Sequence, residues 1–208
     1  MTMKTVTPTQ EEMKSRIARF KELKPRGAHF EKEWGIPFEV IRLINPKANY
    51  VVMAPKSVGG HLSPSPAVVG GDKGVMRIGI AECTPGDGPA LHVHWKTHET
   101  FMPLSGRWEL QWGDEGQEKV VLEPFDLFAV PPAVTRRFVN VSDHDAHLLV
   151  IIQGQPEDFD DVGLSPAWGQ KIVDKHGQAM LDKLIGHGWR FTLEAPDSEA
   201  DRINAARA

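Results

Sequence analysis

Two histidines and a glutamate stand close together in the stretch Gly86-Asp87-Gly88-Pro89-Ala90-Leu91-His92-Val93-His94-Trp95-Lys96-Thr97-His98-Glu99. On a β-strand, residues i and i+2 project from one face, so His92 and His94 would be presented together while Val93 points away. Glu99 follows a short turn, and a strand beginning there puts Glu99, Phe101 and Pro103 on one face. Two neutral imidazoles and a carboxylate suit a divalent transition metal. Left open on one side, the same set is the facial triad of non-haem iron oxygenases. The competing reading is a polar barrel interior in which the histidines only hydrogen-bond. His98 offers a third imidazole if the turn bends; on a regular strand it lies opposite Glu99, at a solvated turn. His144 and His147 flank the Ser142-Asp143 turn. His29, His61, His176 and His187 have neither an acid nor a second histidine at ligand spacing.

The elements around this stretch divide the chain into zones. Residues 7–24 read as a helix, opened by Thr7-Pro8 or by a capping box of Thr9 with Glu12, with Met13, Ile17, Phe20 and Leu23 as an apolar stripe. The stripe packs on the body or on a second subunit. Phe38 to Ile44 and Tyr50 to Met53 read as short strands, and 56–71 as a loop rich in Ser, Pro and Gly. From 74 to 154, short apolar runs alternate with turn residues at even spacing, the sign of a β-sandwich or barrel. Leu148 to Ile152 reads as a strand buried on both faces. Ser165-Pro166 then opens a helical segment ending at Gly186, with a break expected at Gly177. The divisions are a helical arm (1–27), a β-barrel (28–155, core 72–154), a helical segment (156–195) and a mobile tail (196–208).

The central stretch resembles the first motif of the cupins, G-x5-H-x-H-x3or4-E-x6-G. Gly86, His92, His94, Glu99 and Gly106 meet every position. In the frame of the second motif, G-x5-P-x-G-x2-H-x3-N, Pro131 and Asn140 match. Phe125 and Ala133 replace its glycines, and Arg136 its histidine. The resemblance implies a mainly β protein: an antiparallel jelly-roll barrel, open at one end and often dimeric, here with an N-terminal helical arm and a C-terminal helix. It also implies one divalent metal on His92, His94 and Glu99, with iron favoured and zinc, manganese or nickel as alternatives. Arg136 cannot ligate a metal, because a guanidinium stays protonated. Three roles stand open for it: a clamp on a substrate carboxylate or enolate, an ion pair with Glu99 or another internal acid in a metal-free polar pocket, or an outward turn through a bulge that brings Arg137 inward. Trp95, Phe101, Trp108 and Phe138 are candidate walls of an apolar pocket, and equally candidate core.

The function implied is a metal-dependent enzyme, a non-haem iron dioxygenase acting on a small organic acid or enol. The alternatives are a non-redox isomerase or decarboxylase using the metal as a Lewis acid, and a metal-free barrel that binds a small ligand. Of 208 residues, 40% are apolar and 25% charged, which excludes full-length disorder. The net charge of -4 offers no broad basic field for nucleic acid. No apolar run approaches the ~20 residues of a membrane span, and residues 1–4 open no apolar leader. The lone Cys83 forbids an internal disulfide and reads as a small buried apolar residue. Asp158, Asp160 and Asp161 read as a solvated acidic loop. These features lead us to expect a cytoplasmic protein with neither a nucleic-acid nor a membrane partner, and the resemblance implies a homodimer with a small-molecule substrate.

Overall fold

A computed structural model describes residues 5–27, 30–56, 66–70, 75–155, 158 and 161–195. Eleven strands among them form two facing sheets. The strands are β1 (Ala48–Ala54), β2 (Val68–Val69), β3 (Met76–Cys83), β4 (His92–His94), β5 (His98–Pro103), β6 (Trp108–Trp112), β7 (Glu118–Leu122), β8 (Phe128–Val130), β9 (Arg136–Asn140), β10 (Ala146–Gln153) and β11 (Val162–Leu164). One sheet has the order β2-β1-β3-β10-β5-β8, the other β11-β4-β9-β6-β7. Every pairing is antiparallel except β1 with β2. This is the expected mainly β jelly-roll. Inward residues of both sheets make one core, with Phe101, Trp108, Leu110 and Leu148 fully buried.

A second apolar cluster lies against the edge of the β11-β4 sheet. It joins helices α2 (Phe30–Trp34) and α3 (Phe38–Ile44) to α4 (Pro166–His176) and α5 (Gln178–Gly186), through Ile36, Val40, Ile41, Ile44, Ile172 and Leu184. The strand expected over Phe38–Ile44 is therefore a helix. Pro37 opens it, and Val40, Ile41 and Ile44 fall at helical spacing on the buried side. Pro166 starts α4, and Gly177 separates α4 from α5 with φ 82°. The Leu148–Ile152 stretch is less enclosed than expected. Leu148 is buried, but the next four residues are only partly covered, because Leu149 and Ile151 face the outer side of this sheet while Val150 and Ile152 line an internal cavity.

The single helix expected over 7–24 breaks into α1 (Gln10–Lys14) and a 3-10 turn at Phe20–Glu22. Thr9 and Glu12 form the reciprocal capping box. No residue of α1 is buried. A helix this short gains little without packing to extend it. Met13, Ile17 and Phe20 remain 44%, 50% and 41% exposed, and Phe20 rests edge-on against Tyr50 and His147 of the outer sheet face. The expected mobile tail, 196–208, lies outside the described residues, as do His29 and His61.

Backbone conformation explains part of the motif pattern. Gly86 and Gly106 have φ 76° and 70°, and a Cβ on Gly106 would lie 2.4 Å from Ser142 Oγ. Phe125 and Ala133, at the two glycine positions of the second motif, also have positive φ, 74° and 62°. The chain keeps the left-handed backbone there without glycine, at a cost of about 1–2 kcal/mol each. Asn140, the matching asparagine, is fully buried and structural: its amide donates to the Cys83 and His144 carbonyls and its oxygen accepts from Ser142 N–H.

Candidate metal centre

The two histidines and the glutamate come from opposite sheets. β4 lies between β11 and β9, so its residues are buried on both sides. β5 lies in the other sheet between β10 and β8, and Glu99 pairs with Ile152 and Val130. The barrel brings the three side chains together with one ligand atom from each within 4.8 Å of the others. Glu99 Oε2 is 3.5 Å from His92 Nε2 and 3.7 Å from His94 Nε2.

The outer nitrogens set the tautomers. His92 Nδ1 is 2.8 Å from the Ala90 carbonyl oxygen, and His94 Nδ1 is 2.8 Å from Asp161 Oδ1. Both oxygens only accept, so both Nδ1 atoms donate. In the neutral ring, each Nε2 would then carry a lone pair directed at the site. Burial, followed by the Arg136 charge, lowers the basicity of His94 against the opposing pull of Glu99 and Asp161, which favours the neutral ring. Two neutral imidazoles and a carboxylate converging in this way form a donor set suited to a divalent cation. An imidazole oriented by a carboxylate behind it is the usual supporting arrangement for a metal ligand.

Asp161 was expected in a solvated loop. It is buried, and its Oδ2 accepts Lys96 N–H at 2.7 Å and Thr97 N–H at 2.8 Å. Thr97 Oγ1 donates to Oδ1 at 3.1 Å. Burial alone would raise its carboxyl, but the hydrogen bonds from His94, Lys96 and Thr97 outweigh burial and hold it ionised. Antiparallel pairing of Val162 with His94 carries Asp161 to this place. Sequence offered no sign of it, because the two residues lie 67 positions apart.

Arg136 is the cross-strand partner of His92, so it points inward, and the outward turn does not occur. It is 0% exposed, its Nε donates to Glu99 Oε2 at 3.0 Å and its Nη1 to the Val134 carbonyl at 2.9 Å. Of the three roles considered, the internal ion pair is the one formed. Burial alone would push the Glu99 carboxyl up, but His94, His92 and the Arg136 guanidinium outweigh it and hold Glu99 well below the usual carboxylate range. Arg137, the next residue, turns outward and lies 4.9 Å from the Trp168 ring centre on α4.

A cavity of 330 Å³ opens above the triad, bounded by His92, His94 and Glu99 and by the end of α3 and the segment after α5. Phe138 lines it. Trp95, Phe101 and Trp108 do not. Phe101 and Trp108 lie one layer deeper, with ring centres 5.4 and 5.7 Å from Phe138. Trp95 packs under the C-terminal segment, donating to the Leu193 carbonyl. Arg136 is also absent from the wall. The arginines that do line it are Arg26, Arg77 and Arg190, which the sequence reading missed. Their one sequence sign is the Arg77-Gly79-Ala81 alternation on the inward face of β3. His98 is exposed at the start of β5 and stands apart from the triad. Cys83 is buried, and burial pushes its thiol far up.

Residues 79–152 match the family model for the cupin domain. Over these residues the chain carries a cupin domain. The match runs from β3 through β10 and contains all three candidate ligands and Arg136. Among solved structures, this chain is similar to a chain from the DMSP lyases RdDddP and RnDddQII: 18% identity, 57% of this chain and 52% of that one, TM-score 0.43. It is similar to the Schizosaccharomyces pombe Cnp3 cupin domain at 16% identity, covering 38% of this chain and 56% of that one, TM-score 0.34. It is also similar to KdgF from Halomonas sp. at 18% identity, covering 40% and 73%, TM-score 0.35. The chain spans between 49% and 62% of the length of the first solved structures it resembles. No curated protein matches the sequence. No helix among the described residues is long and apolar enough to cross a membrane.

Proposed function

We propose that this protein is a metal-dependent enzyme acting on a small organic acid, and that its reaction is an iron-dependent oxygenation. The observation that carries the reading is the convergence of His92 Nε2, His94 Nε2 and Glu99, with both Nδ1 atoms committed elsewhere. Iron on this set would supply redox chemistry and a site for dioxygen, whereas zinc, manganese or nickel would supply Lewis acidity for an isomerase or decarboxylase.

The chain's own residues have separable tasks. Asp161 and the Ala90 carbonyl hold the imidazoles in the ligating tautomer. Arg136 keeps Glu99 ionised and occupies one of its oxygens. Phe138 and the aliphatic wall exclude water from the reacting region. The arginines of the wall favour an anionic substrate. We further infer a cytoplasmic homodimer, a reading supported by the single buried thiol and by the exposed apolar stripe of the arm.

The test is the metal content of tag-free protein by mass spectrometry, together with oxygen consumption in the presence of candidate organic acids. We expect about one ion per chain, lost in His92→Ala. Iron with substrate-dependent oxygen uptake supports oxygenation; turnover without oxygen moves the reaction to the Lewis-acid class. Absence of metal after reconstitution would overturn the enzyme reading. A second reading, a metal-free ligand-binding barrel, would then follow, and one observation favours it: the Arg136 guanidinium already neutralises Glu99 at 3.0 Å.

A further inference from the structure

We propose that Arg136 couples the metal to an anion: it withdraws one negative charge from the centre, so that the ion is held tightly only when a monoanion enters the cavity beside it. The inference rests on the metal-enzyme reading and deepens its substrate class, because the acid group of the substrate is then part of what retains the ion.

Strand register delivers Arg136 to the triad. Its backbone stands opposite His92 on β4 and Trp112 on β6, and its side chain is wholly buried. The Glu99 oxygen that it holds, Oε2 at 3.0 Å from Nε, is the same one that stands 3.5 and 3.7 Å from the two Nε2 atoms. The guanidinium and an ion on the triad therefore draw on one carboxylate oxygen. Among the described residues Glu99 is also the only acid hydrogen-bonded to Arg136. Nη1 goes to the Val134 carbonyl, and Nη2 is buried with no acceptor. Nothing else in the protein offsets this cation by direct contact.

The buried charges leave room for one anion. Of the acids and permanent cations among the described residues, only Glu99, Asp161 and Arg136 are buried. All three belong to this centre. Asp161 is bonded by the His94 ring, two backbone N–H groups and the Thr97 hydroxyl, so its charge meets no full positive charge in return. With neutral imidazoles the three sum to a single negative charge, and a divalent ion turns that into a single positive one. A neutral residue at 136 would instead let Glu99 and Asp161 balance the ion by themselves.

A positive charge left over among buried groups is costly, and a monoanion in the adjoining cavity removes it. The wall has no acid to do so except Glu99 itself. Its other charged residues, Arg26, Arg77 and Arg190, are cations already engaged within the protein. The sign of the effect sets Arg136 apart from an ordinary supporting residue. Removing a group behind a metal ligand typically costs about 10- to 100-fold in metal affinity. Removing Arg136 releases Glu99 to the ion, so affinity should rise even though the metal-free fold is weakened. The coupling is also reciprocal: the factor that the anion adds to metal affinity, the metal adds to anion affinity.

The test is binding of zinc(II) and manganese(II) to chelator-treated protein, read by competition against a chromophoric chelator. Formate and azide are the anions, a carboxylate and an inorganic ion of similar size. Formamide is the uncharged control, and perchlorate holds the ionic strength. In the parent an anion should tighten metal binding at least about fivefold, the lower end of usual coupling between two sites, and formamide should not. Formate alone or both anions acting supports the proposal, and the difference tells a carboxylate site from a general anion site. Arg136→Met should bind metal about tenfold tighter than the parent when no anion is added, and should lose the response to formate. Arg136→Gln is the second neutral variant should the first fail to fold, and Arg136→Lys, which keeps the charge, should keep the response. Calorimetry needs no variant: formate should bind the metal-loaded parent at least about fivefold tighter than the metal-free one. A parent that takes up metal but ignores both anions overturns the proposal and leaves the metal enzyme standing. So does metal binding that follows pH alone, which gives the charge to hydroxide, and so does weaker metal binding by both neutral variants. No uptake of either metal by the parent at any anion concentration overturns the metal reading and the proposal with it.

Discussion

Asp161→Asn should weaken metal binding while leaving the fold nearly intact. The substitution keeps shape and removes one charge. Lys96 and Thr97 offer two N–H donors to Oδ2, at 2.7 and 2.8 Å, so the asparagine oxygen turns toward them. Its NH2 then faces His94 Nδ1 across the 2.8 Å now bridged by Asp161 Oδ1. A donor in that place is met by a ring nitrogen lone pair, so the imidazole shifts its proton to Nε2, which then points at the triad. The ion must expel that proton and also loses a hydrogen bond to a charged group, of about 1.5–3 kcal/mol. Supporting carboxylates behind metal-bound histidines typically carry about 10- to 100-fold in affinity, equivalent to about 1.4–2.7 kcal/mol. The two figures agree, and we expect a loss in that range. The assay is competition against a chromophoric chelator, with melting temperature measured in parallel. Asp161→Ala separates the effects, because it strands the buried Thr97 N–H and the partly buried Lys96 N–H, a buried one at about 1–3 kcal/mol, and should melt well below Asp161→Asn. An asparagine variant that holds the ion within about twofold of the parent refutes the tautomer argument.

Three further outcomes follow from the same contacts. Arg136→Met leaves Glu99 ionised and buried without its partner, and should lower stability by about 3–5 kcal/mol; the double variant with Glu99→Gln should lose less than the sum, read from denaturant midpoints. Phe125→Gly removes a left-handed strain of about 1–2 kcal/mol against a chain-entropy loss of about 0.5–1 kcal/mol. Since Phe125 is 76% exposed, little packing is lost and the melting temperature should rise; a lower one would show that its side chain is held by something else. The chelated protein should lose stability in acid. Asp161, Glu99 and His94 all have folded values below their ordinary 3.8, 4.5 and 6.5. The unfolded chain therefore binds protons first, so stability is complete above pH 6.5 and falls through the lowered folded values as pH drops. A melting temperature constant between pH 7 and 4 would contradict this.

Local spacing made much of the site legible. The i, i+2 histidines and Glu99 declared themselves because side-chain alternation is a property of the strand alone. Gly86 and Gly106 were legible because a left-handed backbone normally selects glycine. The left-handed backbone at Phe125 and Ala133 was not legible, because those positions lack the glycine that such a conformation normally selects. The helix over Phe38–Ile44 was misread as a strand because a short apolar run fits either period, and packing against α4 and α5 decided it. The arm was overextended because its stripe was assumed to be covered.

Tertiary structure alone decided what surrounds the triad. Cross-strand register turned Arg136 inward beside His92, and strand pairing brought Asp161 behind His94 from a distant stretch. Closure of the helices over the barrel mouth gathered Arg26, Arg77 and Arg190 around one cavity. A sequence states which residues a strand presents on each face. Which residues meet across strands, and which charges share a space shut off from water, depends on pairings between segments far apart in the chain, and no local pattern carries that information.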